Sequence, residues 1–111
     1  MNIKQINDSE PVAVDVSEWN DDVQAFAKRL TGLEQLVFND YFLVFQDKDA
    51  PLEERFDAGF NAALLLLVNA DGEPLLTNED REAVKGGSAV PFLRVFTAGL
   101  GGTETSTAKK N

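Results

Sequence analysis

Neither histidine nor cysteine occurs anywhere in this 111-residue chain. Without imidazole no side chain titrates near neutral pH in its ordinary state, and without thiol there is no Cys nucleophile, disulfide or thiolate zinc site. General acid–base work, covalent attack and metal ligation would all fall to carboxylates, Lys, Tyr or Ser. Basic residues are scarce too: ten Lys and Arg stand against nineteen Asp and Glu, a formal net charge of −9. A surface of that sign repels phosphate backbones and anionic headgroups, so neither nucleic acid nor a membrane is an expected partner. The longest apolar run, Ala62 to Val68, falls far short of the roughly 20 residues that cross a bilayer. Met1-Asn2-Ile3-Lys4-Gln5 lacks the apolar centre of an export signal, and secretion is not expected.

What the chain has in quantity is apolar contact surface, with eight Phe and 43% hydrophobic residues. Its length fits one domain with a modest core held by packing alone, as is usual in a reducing compartment. Binding rather than catalysis is the expected activity, and no cofactor is expected.

Residues 1–10 read as a polar, flexible arm. Pro11 to Val16 then alternates Val12, Val14 and Val16 against Ala13 and Asp15, the period of a half-buried strand. Ser17 to Asp22 is a turn by composition, and Val23 to Leu30 fits either a strand paired back on the first or a helix, the hairpin being preferred. Thr31 with Glu34 makes a capping box for a helix over 32–47. At about 100° per residue, Gln35, Asn39 and Gln46 share one narrow polar strip. Leu33, Leu36, Val37, Phe38, Tyr41, Phe42, Leu43, Val44 and Phe45 sweep about 260° of the circumference. One side of a small core cannot cover so wide an arc.

A second helix is expected from Pro51, with Glu53 and Glu54 at the positive end of its dipole and a buried stripe of Leu52, Phe56, Phe60, Ala63 and Leu67. Gly59 inside it implies a bend or a close contact. The run Leu64 to Val68 is either the end of this helix or a short buried strand, closed by Asn69-Ala70-Asp71-Gly72, where Gly72 is free to adopt a positive φ. Thr77 with Asp80 opens a short helix to about Lys85, ended by Gly86-Gly87. Ser88 caps a last helix with Ala89, Phe92, Leu93, Phe96 and Leu100 on one side and Arg94 opposite. The tail, 101–111, reads as disordered. The expected fold is α+β: a mainly helical small single domain, residues 11–100, with a short N-terminal β element.

The acidic residues Asp47, Asp49, Glu53 and Glu54, and the triplet Asp71-Gly72-Glu73, do not match an EF-hand spacing; turn and cap duties account for them, and no metal site is expected. Gly99 to Gly102 has neither a following Lys-Ser/Thr nor a helix after it, so it reads as linker rather than phosphate loop. No Ser, Thr or Tyr41 has a base beside it in a recognisable arrangement, and no catalytic residue is assigned. The wide arc of helix 32–47 implies either a central helix wrapped on all sides or a face turned to a partner. Phe38, Phe42 and Phe45 are the candidate partner-binding residues, joined by Phe92 and Phe96 of the last helix.

The order of these pieces has a resemblance. Val16-Ser17-Glu18-Trp19 comes first, then Lys28-Arg29-Leu30-Thr31-Gly32-Leu33-Glu34. An apolar run follows, ending Val68-Asn69-Ala70-Asp71-Gly72-Glu73-Pro74-Leu75, before Thr77-Asn78-Glu79-Asp80 and Phe92-Leu93-Arg94-Val95-Phe96. Together they resemble the tail assembly chaperones of long-tailed bacteriophages of the HK97 and lambda type, over about residues 11 to 100. The resemblance implies a non-enzymatic role in the host cytoplasm: coating the long helical tape measure protein, helping to recruit the tail tube protein, self-associating, and being absent from the mature virion. It also implies a longer form made by ribosomal frameshifting, with which the adenine-rich codons of Lys109-Lys110-Asn111 are compatible. The rival readings are a small carboxylate-based enzyme or ligand-binding module, and a minor virion structural subunit such as a tail completion protein.

Overall fold

The computed structural model describes residues 12–101. The arm over 1–10 and the tail from 102 onward lie outside the described residues. Strands β1 (Val12–Val14) and β2 (Ala25–Ala27) are followed by α1 (Gly32–Gln46) and α2 (Leu52–Leu66). Then come β3 (Leu67–Val68), a 3-10 turn (Asn78–Asp80), α3 (Arg81–Lys85) and α4 (Val90–Gly99). The fold is α+β, with a three-stranded antiparallel sheet in the order β1-β2-β3.

The hairpin expected at the N-terminal end forms, pairing Val12 with Ala27 and Val14 with Ala25. The first strand ends at Val14 and not at Val16, because the chain leaves the ladder at Asp15 to make a turn in which Trp19 and Asn20 both donate to the Val16 carbonyl. The second covers only Ala25–Ala27 of 23–30, and Pro11 lies outside the described residues. Val14, Val16, Ala25 and Ala27 bury the inner face. The run 62–68 turns out to be helix and strand in succession: α2 ends at Leu66, and Leu67 adopts extended backbone with no intervening loop. Leu67 and Val68 then pair with Ala27 and Phe26. The start of β3 is held on both sides, the Lys28 amide donating to the Leu66 carbonyl and the Leu75 amide to the Leu67 carbonyl. Gly72 takes φ +83 in the following turn, where the Asn69 side chain accepts from the Asp71 and Glu73 amides.

Both capping boxes form, at Thr31 with Glu34 and at Thr77 with Asp80. The close contact implied by Gly59 is with Phe92: a Cβ there would lie 2.7 Å from the ring. Two expected faces need correction. Leu52, placed in the buried stripe of α2, is 77% exposed: it is the first residue of the helix, and burial begins a turn further on. In α4 the buried side is Pro91, Phe92, Val95 and Phe96, while Ala89, Leu93 and Leu100 are exposed. The helix is rotated because Gly99, which has no side chain, seats the Phe38 ring against its last turn. That turns Val95 inward and Leu93 out.

Candidate functional site

The five Phe singled out in the sequence do come together, as the seam between α1 and α4 rather than as a docking surface. Phe96 sits at the centre, with ring centroids 5.4 Å from Phe38, 5.3 Å from Phe42 and 4.8 Å from Phe45. Phe92 extends the cluster to Phe45, Phe56 and Trp19, at 6.0, 5.7 and 5.7 Å. Tilted and edge-on rings at these separations are the favourable arrangement for aromatic pairs. Phe38, Phe92 and Phe96 are buried, and Phe42 and Phe45 half-buried. The expectation that these rings face a partner is therefore corrected for the three buried residues. Aromatic rings carry the largest burial gain per side chain, and a domain this small spends them on its own core first.

The excess apolar arc of α1 is nonetheless real, and it is aliphatic. Leu33, Leu36 and Leu43 are 74%, 63% and 57% exposed, and Val37 and Val44 are exposed as well. At about 100° per residue these five side chains lie within an arc of about 120°, opposite the Phe side and centred on the exposed Asp40. Sequence reading counted these residues into one broad sweep. The signal that separates them is that the arc has two centres, a Phe-bearing one and a Leu/Val-bearing one, divided on one flank by the polar strip.

The helix presenting this face is fixed at both ends. Thr31 and Glu34 exchange hydrogen bonds at its start, Lys28 lies 3.1 Å from Glu34, and at its end Arg55 donates to the Phe45 carbonyl at 2.9 Å. Cationic Arg55 is well placed at the negative end of the helix dipole. Along the polar strip, Gln35 donates to Asn39 and to the Gly99 carbonyl, both at 3.0 Å, tying α1 to the last turn of α4. These contacts tie α1 to α2 and α4 and leave its Leu/Val side open.

A second feature is a cleft of about 340 Å³ between the Trp19 turn and α3, lined by Trp19, Val23, Leu75, Leu76 and Val84 together with Glu18 and Asp80. Both carboxylates are engaged. Asp80 closes its capping box on Thr77, and Glu18 takes two hydrogen bonds from Arg94, at 2.5 and 2.9 Å. Arg94 also donates to the Asp15 carbonyl, joining the β1 end to α4. Among the described residues no three acidic side chains gather as a cation site. No helix of the described residues is long and apolar enough to cross a membrane.

These pairings set the acid response. The Arg94 hydrogen bond is the main reason Glu18 sits below the ordinary carboxylate value of 4.5, and the Ser17 amide holds Asp15 down. Glu34 and Glu53 are lowered chiefly by the Thr31 amide and by Lys85 respectively, and Arg94 is raised by Glu18. A carboxylate lowered on folding adds stability that is complete above its unfolded value and is lost as pH falls through the folded one. Raised Arg94 stays charged throughout that range. The melting temperature is therefore expected to hold level from pH 7 to about 5 and to fall below about 4.5. Glu18→Gln should make the acid loss shallower, as followed by circular dichroism melts; an unchanged slope in that variant would remove Glu18 from the account.

Comparison with protein-family models, with curated proteins and with solved structures gives no match.

Proposed function

We propose that this chain is an assembly chaperone of the phage-tail type. In this reading the Leu/Val face of α1 covers apolar stretches of a tape measure protein in the host cytoplasm until tail tube subunits are recruited around it. The observation that carries it is that face: a helix anchored at both ends that holds five aliphatic side chains in solvent on a molecule whose net charge is −9. Contiguous apolar area of this kind marks a site of contact with another protein. The acidic remainder keeps such a protein soluble by self-repulsion while the face stays available. Each contact is modest, and many copies along one long client sum to tight coverage. The sequence resemblance supplies the biological setting.

No catalytic step is part of the proposal. Self-association belongs to the same proposal. The exposed row Val90, Leu93 and Leu100 on α4 carries no acidic residue, so a second copy meets no like charge there.

The test is co-expression with a tape measure protein, the very long helical client that this reading expects to find encoded beside the chain. The client's soluble fraction is expected to rise several-fold when the chain is present. Purified virions should contain the client but not the chain, by mass spectrometry. A client equally insoluble with and without the chain would end the chaperone reading, and the chain's presence in virions would favour a structural subunit.

A further inference from the structure

The aliphatic face of α1 recurs every seven residues. Leu33 and Asp40 fall in one row, with the C-cap residue Asp47 at its end, Leu36 and Leu43 in a second, Val37 and Val44 in a third. A period of 3.5 residues per turn is the pattern that lets a second helix lie alongside at a small crossing angle with its side chains seated between these rows. Asp40 stands in the middle of the face, exposed, and among the described residues it pairs with no cation. Covering it with a purely apolar helix would strip water from a carboxylate with nothing in return. A partner that brings a cation to that position turns the same group into a register mark.

The face is also unsuited to a second copy of itself. Asp40 lies one residue from the midpoint of α1 (Gly32–Gln46), so full overlap of two such helices sets Asp40 against Asp40 when they run parallel and brings the pair within about one turn when they run antiparallel. Parallel overlap adds Asp47 against Asp47. Two chains that each carry a net −9 have no compensating attraction.

Resting on the reading of α1 as the client face, we propose that its occupant is an amphipathic helix of another protein with a heptad apolar pattern. That helix carries Lys or Arg opposite Asp40 and a second basic residue seven positions away, opposite Asp47. The basic residues choose the client segment and its register; the Leu and Val rows supply the contact area.

Two synthetic helical peptides of about 20 residues test this against the full chain by fluorescence anisotropy at low salt. Both carry Leu and Val on the heptad face; one has Lys at two positions a heptad apart, its twin has Glu there. The Lys peptide is expected to bind at least about tenfold more tightly than the Glu peptide, and Asp40→Lys to reverse the order. Circular dichroism checks that the exposed substitution keeps the fold. Equal binding, no binding of either peptide, or an unchanged order in Asp40→Lys would overturn the inference. Because no natural client is used, the outcomes separate cleanly. A solubilised client with undiscriminated peptides removes this inference alone, whereas discriminated peptides with no client rescued remove the chaperone reading alone.

Discussion

Phe92→Ala is expected to cost about 3 to 5 kcal/mol, a large share of the roughly 5 to 15 kcal/mol available to a domain of this size. The residue is 1% exposed and touches three parts of the fold through its ring: Trp19 of the β turn, Phe45 of α1 and Phe56 of α2. Removing it leaves a void that cannot collapse easily, because Gly59 offers a flat backbone floor and Trp19 is pinned by its indole N–H to the Ser88 carbonyl at 2.8 Å. The complementary change, Gly59→Ala, pushes a methyl group into the same ring. It should cost about 1 to 3 kcal/mol by overpacking, less the roughly 1 kcal/mol that Ala gains over Gly in a helix. The two sites share one contact, so the pair should not add: Gly59→Ala with Phe92→Leu is expected to be more stable than the sum of the single changes implies. Urea melts that shift the midpoint with an unchanged slope are the readout. A loss below about 1 kcal/mol for Phe92→Ala would mean that the seam between α1 and α4 does not hold the domain together.

Those residues also mark where sequence pattern was informative and where it stopped. Two starts were legible because the cap is a local chemical device: Thr31 with Glu34 and Thr77 with Asp80 satisfy exposed amides using side chains three positions apart. By contrast, α2 and α4 begin at Pro51 and Ala89 without a side-chain cap, Ala89 and not the expected Ser88 being the N-cap of the last helix. Periodicity left 23–30 open between strand and helix, whereas the first strand was legible from alternation and Gly59 from its cost in a helix. The split of 62–68 into helix and strand was not, because Leu66 and Leu67 are both fully buried and periodicity carries no information where every side is covered. The rotation of α4 was not legible either. It follows from Phe38 resting on Gly99, a contact between residues far apart in sequence. The same long-range contact explains the candidate site. An excess of apolar arc on α1 could be read from composition and spacing, but which side of the arc became core depended on where α4 docked. The Phe rings took that position, and the Leu and Val rows were left outside.

That division gives the second large effect its form. Leu36→Glu combined with Leu43→Glu is expected to abolish solubilisation of the co-expressed client. Stability should shift by only about 0.5 kcal/mol per site, because neither side chain is packed in the folded chain and Glu is nearly as good a helix former as Leu. The substitutions put two carboxylates beside Asp40 on the face that a partner helix must cover, so the loss comes from desolvation and like charge as well as from missing apolar area. Phe92→Ala should lose client binding only as far as it unfolds the chain. The two variants thus pull apart quantities that a less specific explanation would keep together: one keeps its melt and loses its client, the other loses both. If the double Glu variant still solubilised the client as well as the parent chain does, α1 would not be the gripping surface. The uncharged row on α4 would then be the next surface to alter in the same way.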